Sequence, residues 1–235
     1  MNRINCFITI FILATGCSEM SGIRGKGQKV HQELDLKAFD KIELHILADI
    51  YLSPGEDQKV SVEAQENILK NLKTKVSDKK LIVTGKSNVR LSKRVTFHIT
   101  IPEIKELIYN GSGKIRTTDF FIGQGDIELE TEDLGDLDLQ LEAKSIHIEM
   151  RGTGDVELEG KTDELKVEIS GPGSLDAYGM LANRCEAEIE GSGSVKVNVR
   201  DKLVATVRGR GSILYRGSPE VVTESTGSGK IRSVR

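Results

Sequence analysis

The chain has 235 residues, 37% of them hydrophobic, which supports one sizeable core and, for an all-β fold, a single domain. Net charge is −3, with no basic block or basic–aromatic alternation, which excludes nucleic acid as the expected partner. Aromatic residues make up only 4%, Trp is absent and Gly counts 24, a composition suited to many tight corners around small aliphatic side chains.

Residues 1–16 read as an export signal. Arg3 supplies the basic start, and the apolar run Ile4–Ala14 falls well short of the about 20 residues a spanning helix needs. The stretch "LATGC" resembles a bacterial lipoprotein box, with Ala14 standing where leucine is commonest. That resemblance implies cleavage before Cys17 and lipidation of Cys17. The competing readings are an ordinary secretory signal and an N-terminal strand with a chance cysteine. Cysteine usage fits lipidated export: Cys6 would leave with the signal, Cys17 would carry lipid, and Cys185 would remain without a disulfide partner. Residues 17–29 are small, polar and Gly-rich after the cysteine and read as a flexible tether. The expected location is the cell envelope, lipid-anchored in the outer membrane and facing either the periplasm or the surface.

Residues 30–235 form the expected folded body, divided into an N-terminal β part (30–106) and a repetitive part (107–235). In the first, "FDKIELHI" (Phe39–Ile46), "DIYLSPG" (Asp49–Gly55), "KVSVEAQ" (Lys59–Gln65) and "VTFHITIP" (Val95–Pro102) alternate as strands. Leu72–Gly85 reads as two strands around "SDKK", and Glu66–Leu72 fits either a short helix or a turn. This part is expected to continue the β body and cap one end of it.

The second part repeats. Gly-x-Gly recurs at 111/113, 152/154, 171/173, 191/193, 209/211 and 227/229, with a lone Gly135 filling the gap. Taking 113, 135, 154, 173, 193, 211 and 229 as marks, the spacings are 22, 19, 19, 20, 18 and 18. Two places beyond each mark stand Ile115, Leu137, Val156, Leu175, Val195, Ile213 and Ile231, all aliphatic. The next place is nearly always charged, which is the period of a half-buried strand. The same alternation runs up to each corner, as in Leu165, Val167 and Ile169. A unit is therefore strand, polar turn, strand, glycine corner. An antiparallel meander and a parallel β-solenoid both fit this description. The fixed register favours the solenoid, because every coil must return to the same place and needs the same corner geometry. The fold class expected is all-β, a parallel β-solenoid with coils of about 19 residues, whose seven marks would stack over about 29 Å.

The opening "FDKIELHILADIYLSPGEDQKVSVEAQENILKNLKTKVSDKKLIVTG", then "VTFHITIPEIKELIYNGSGKI", then Gly-x-Gly coils, together resemble the head GIN domain family of auto-transporter adhesin heads, a domain of unknown function, over residues 30–235. The resemblance implies a β-solenoid head in exported proteins of Bacteroidota-like bacteria, often lipoproteins. It brings no established activity and no catalytic residues.

The motifs that carry chemistry are few. "GSGKI" occurs at Gly111–Ile115 and Gly227–Ile231, but a phosphate loop needs Gly five places before the Gly-Lys pair and Ser or Thr after it. Those places hold Ile108 and Ile115 in one copy, Glu224 and Ile231 in the other. "GQGDIEL" and "GTGDVEL" put Asp126 and Asp155 directly after the last glycine, the wrong spacing for a calcium β-roll. Stacking the coils aligns Glu149, Glu168 and Glu188 in one outward row about 4.8 Å apart. That row is either a strip for cations or a basic partner, or a solvated face relieved by Lys166 and Arg151; the weakness of exposed charge interactions favours the second. Cys185 falls at an inward position and reads as core. His31, His45, His98 and His147 are scattered, without metal-ligand spacing or a nucleophile partner. Of the aromatics in the repeat, Tyr178 falls in an inter-strand turn and is the better sugar-stacking candidate; Tyr215 occupies an inward row. The expectation is a non-enzymatic, adhesin-like binding module without cofactor or metal. Its partners would be the membrane, through the lipid, and a glycan or protein ligand; the open end near Arg235 allows oligomerisation. The alternative is a polysaccharide-active β-helix lyase or hydrolase.

Overall fold

Alternating apolar residues make strands, and the glycine corners decide how the strands return. The computed structural model describes residues 23–86 and 94–234. The expected signal (1–16), Cys17 and the tether as far as residue 22 lie outside the described residues. The first half contains β1 (Lys29–Glu33), β2 (Lys41–His45), β3 (Ala48–Pro54), β4 (Lys59–Gln65), a one-turn helix α1 (Glu66–Leu69), β5 (Leu72–Ser77), β6 (Lys80–Gly85), β7 (Val95–Ile101), β8 (Glu106–Tyr109) and β9 (Ser112–Thr117). The long elements follow: β10 (Phe121–Thr131), β11 (Leu134–Met150), β12 (Asp155–Gly171), β13 (Ser174–Gly191) and β14 (Ser194–Gly209). The chain closes with β15 (Ser212–Arg216), β16 (Glu220–Gly227) and β17 (Lys230–Ser233).

The architecture is the predicted parallel β-solenoid, in the register the glycine spacing predicts. Along one face, Ile115 pairs with Leu137, then Val156, Leu175, Val195, Ile213 and Ile231 in turn. Along the other, Leu107, Leu129, Ile148, Val167, Ala187 and Ala205 stack in the same way. Nearly all of these side chains are buried, and the core is the space between the two rows. Each of β11 to β14 bends once within its length and so contributes to both faces. At the bend in β12, Thr162 is buried, its hydroxyl 3.2 Å and 3.0 Å from the carbonyl oxygens of Lys144 and Glu164. A polar inward residue is tolerated there because the turning backbone leaves acceptors for it.

The wide first spacing has a local cause. The pairing of β10 with β11 slips between Phe121 and Gln124, a β-bulge that buries Phe121 and throws Ile122 out to 67% exposure.

The N-terminal part joins the same stack, but out of chain order. β2 lies between β6 and β8, and β3 lies between β7 and β9, all parallel. The first coil made by the chain is therefore the second in the stack. Antiparallel strands close this end: β4 on β7, β1 on β4, and β5 on β6. The β5–β6 hairpin turns through Asp78 (φ 52°) and Lys79 (φ 59°), the two left-handed residues of a tight hairpin turn. Ile68 of α1 is fully buried and plugs the end of the core. From β1 to β17 the first face spans ten strand steps, about 48 Å.

At the opposite end β16 and β17 are largely exposed. Here Thr223 and Ser225 stand where the coil before carries Ala205 and Val207, so the inward row becomes polar as the stack ends.

Candidate functional site

The acidic row forms as the coil alignment predicts, and the fold supplies its counter-charges. Glu130, Glu149, Glu168 and Glu188 occupy successive rungs of one outward row. Arg151, next to the glycine corner, reaches back with Nη1 2.8 Å from Glu130 and 3.2 Å from Glu132, and its Nη2 binds Glu149. Lys166 binds Glu168, and His147 lies 3.8 Å from it. Arg208 binds Glu188 and lies 3.7 Å from Glu190. The Lys166 hydrogen bond holds the Glu168 carboxyl below its ordinary range, against the opposing effect of burial. The same bond raises Lys166, and Glu149 raises Arg151. The row is a zipper of ion pairs: carboxylates about 4.8 Å apart along the stack, with cations from adjacent rows between them. Among the described residues no group of three or more His, Cys, Asp or Glu is placed to hold a metal ion.

Tyr178 lies within β13, on an irregularity where pairing with β14 slips between Ala177 and Leu181, and not in a free turn. The ring is half-buried there, with the Arg216 guanidinium 4.0 Å from its centroid and Lys196 Nζ 5.8 Å. Asp176 fixes the cluster by accepting from the Tyr178 N–H (3.1 Å) and pairing with Lys196 (2.9 Å), which raises the Lys196 pKa. A sugar stacking on this ring would meet a cation already over it. An anionic sugar meets Arg216 and Lys196 as attractive groups. Tyr215 pairs with Val197 and is half-buried.

The remaining candidates resolve into structure. Lys114 of the first "GSGKI" pairs with Asp138 at 3.0 Å, and its N–H donates to Asp49 at 3.1 Å; it lies in strand β9, not in a phosphate loop. Cys185 is buried, and burial pushes its thiol up to about 12, which leaves it un-ionised. His45 lies 2.7 Å from Glu43 and His31 3.6 Å from Glu63.

One cluster escaped the sequence reading. His98 stacks on Tyr51 with centroids 5.1 Å apart and planes at 10°, and Arg116 lies over the same ring at 5.4 Å. The three are neighbours on β7, β3 and β9. Beyond His98 a groove of about 620 Å³ is lined by His31, Glu33, Lys59, Ser61 and Thr100. Tyr51 and His98 do sit at the same place in their alternating runs. Their contact is legible only once β3 and β7 are known to be adjacent.

Charge is banded along the stack. From Glu103 to Glu190 there are twenty-two Asp and Glu against eight Lys and Arg; from Gly191 to Arg235 there are three against nine. In the last coils Lys202, Arg210, Lys230 and Arg232 have no ion-pair partner among the described residues, unlike Arg151 or Lys166 in the middle.

The comparisons agree with this architecture. The family model described as "Putative auto-transporter adhesin, head GIN domain" matches residues 38–219. A Bacteroides fragilis protein described as a putative adhesin superposes with a TM-score of 0.84 at 26% identity, covering 91% of this chain and 100% of its own. A Parabacteroides distasonis protein described as a putative lipid binding protein gives 0.73 at 22% identity, covering 92% and 100%. A second protein from that organism, described as a putative adhesin, gives 0.72 at 18%, covering 91% and 100%. No functionally curated protein matches the chain. The chain therefore belongs to the head GIN domain family.

Proposed function

We propose that the chain is an exported, non-enzymatic, adhesin-like module, held in the outer membrane by lipid on Cys17, that binds an extended anionic partner such as an acidic glycan. The observation that carries this reading is the continuous parallel row from Ile50 through Ile115 to Ile231, combined with the cations of the last coils that have no ion-pair partner among the described residues. A stack of identical rungs is stiff and repetitive, which suits contact with a polymer whose own groups repeat. In the acidic middle, Arg151 and Lys166 are already engaged by glutamates, so the cations free for a partner lie in the last coils. The Tyr178–Arg216–Lys196 cluster and the C-terminal cations lie at the end away from the N-terminal tether. The family description and the adhesin descriptions of similar structures support the same reading.

The test combines intact cells with a glycan array that includes uronate-rich and sulfated polymers. Binding to anionic glycans that weakens with salt, and digestion of the protein by external protease, are the expected results. Protection from external protease, or equal binding to neutral and acidic glycans, overturns the reading. Radiolabelled fatty acid should enter the wild type and not a Cys17→Ala variant.

A further inference from the structure

The N-terminal cap carries a second band of positive charge where the chain enters the fold, part of it paired, as Lys80 and Arg94 are, and part without an ion-pair partner among the described residues. From Lys59 to Pro102 there are ten Lys and Arg against three Asp and Glu. β5 is the outer edge of its face, and Lys73 and Lys75 alternate outward along it, exposed and without an ion-pair partner among the described residues. The entering chain is pinned beside them: the Lys26 N–H donates to Asn67 Oδ1 at 2.9 Å, and Asn67 Nδ2 donates to the Arg24 carbonyl at 2.8 Å. Arg24 and Lys26 are exposed, so their charges are held at the cap and do not trail from it. Lys86 joins the group, with its N–H on the Asn71 carbonyl and its ammonium on the Lys70 carbonyl. Of the nearby acids, Glu66 is already paired with Lys70 at 3.6 Å.

We propose that this cap, with Arg24, Lys26, Lys73, Lys75 and Lys86, is a docking face for an anionic phospholipid bilayer, which sets the solenoid upright on its membrane. Lysines guarding an exposed edge against strand pairing would account for Lys73 and Lys75 alone. Arg24, Lys26 and Lys86 lie on no edge strand, yet converge on the same end. Residues 1–22, which precede the described residues, join the body at that end, which brings the cap to the bilayer if Cys17 carries lipid. A single acyl chain binds marginally, and a basic patch is the usual second contribution. The inference rests on the anchoring reading for its biological setting, but the docking face can be tested without lipid.

The probe is co-sedimentation of a chain beginning at Ser18 with vesicles of phosphatidylcholine alone or mixed with phosphatidylglycerol. A solved protein of the same fold is covered in full by 91% of this chain, so a chain beginning at Ser18 keeps the residues that build that fold. Binding to the phosphatidylglycerol vesicles, lost in about 1 M salt, is the expected result. The K73Q/K75Q variant should bind about fivefold more weakly for each lysine removed. The K144Q/K161Q variant, whose lysines lie mid-stack and pair with Asp126 and Glu142, should bind as the wild type does. Equal sedimentation with both vesicle types, sedimentation without vesicles through self-association, or a larger loss from the mid-stack variant overturns the proposal. Absence of fatty acid on Cys17 with vesicle binding intact would remove the anchor and leave the docking face standing.

Discussion

Gly135 exists to make room for Tyr109. A Cβ on Gly135 would lie 2.3 Å from two ring carbons of Tyr109, which is fully buried with its hydroxyl donating to the Ala48 carbonyl at 2.9 Å. The one corner that lacks the Gly-x-Gly pair is thus the corner that covers the largest buried side chain. Gly135→Ala should cost about 1–3 kcal/mol by overpacking, and Tyr109→Ala about 3–5 kcal/mol through the cavity left behind. In urea denaturation the double variant should lose clearly less than the sum, because removing the ring removes the clash. Strict additivity would show that the two residues are not coupled.

The corner glycines should not be equivalent to glycines elsewhere. Gly209 has φ +127°, and its Cβ would meet the Gly191 carbonyl oxygen of the coil below at 2.6 Å. Gly125 has open space where a Cβ would go. Gly209→Ala should therefore lose about 1–3 kcal/mol, while Gly125→Ala stays within about 0.5 kcal/mol of wild type. Thermal melts of the two variants decide this, and equal losses would contradict the assigned corner geometry.

Acid should weaken the fold through two carboxylates. The His45 hydrogen bond lowers Glu43 first, with Lys80 adding to it, and the Lys166 hydrogen bond lowers Glu168. Groups whose folded pKa lies below the ordinary 4.5 stabilise above that value, and the contribution disappears as pH falls through the folded pKa. Melting temperature should fall on acidification below about pH 4.5, and E43Q/E168Q should flatten that limb. An unchanged slope in the double variant would remove these residues from the acid response.

The acidic row should be indifferent to calcium as long as its arginines are present. Calcium should leave the wild-type melting temperature unchanged. Arg151→Ala, which strips Glu130, Glu132 and Glu149 of their shared guanidinium, should melt slightly lower and become calcium-stabilised. Calcium uptake by the wild type in equilibrium dialysis would restore the row to the binding strip that Glu149, Glu168 and Glu188 suggest in sequence.

The coil from Gly113 to Ile231 was legible in sequence because a parallel stack repeats one geometry every turn, so equivalent residues recur at equivalent places. The carboxylate row followed from the same alignment. Its neutralisation was only half legible: Arg151 and Lys166 were in view, but the pairing of Arg208 with Glu188 needed the rung between Glu190 and Arg208. The sequence reads the place of Tyr178 as a turn because the irregularity in β13 breaks the period that locates residues.

The sequence by itself determined the repeat, the inward rows and the position of the glycine corners, since period-two burial and left-handed glycine geometry are local demands. Only the tertiary structure decided that β2 and β3 slip between later strands, that Tyr51 meets His98 and Arg116, and that Tyr109 fills the space Gly135 leaves. Those contacts join segments outside the repeat or across its wide first spacing. No period carries them, and packing between the two faces chooses them.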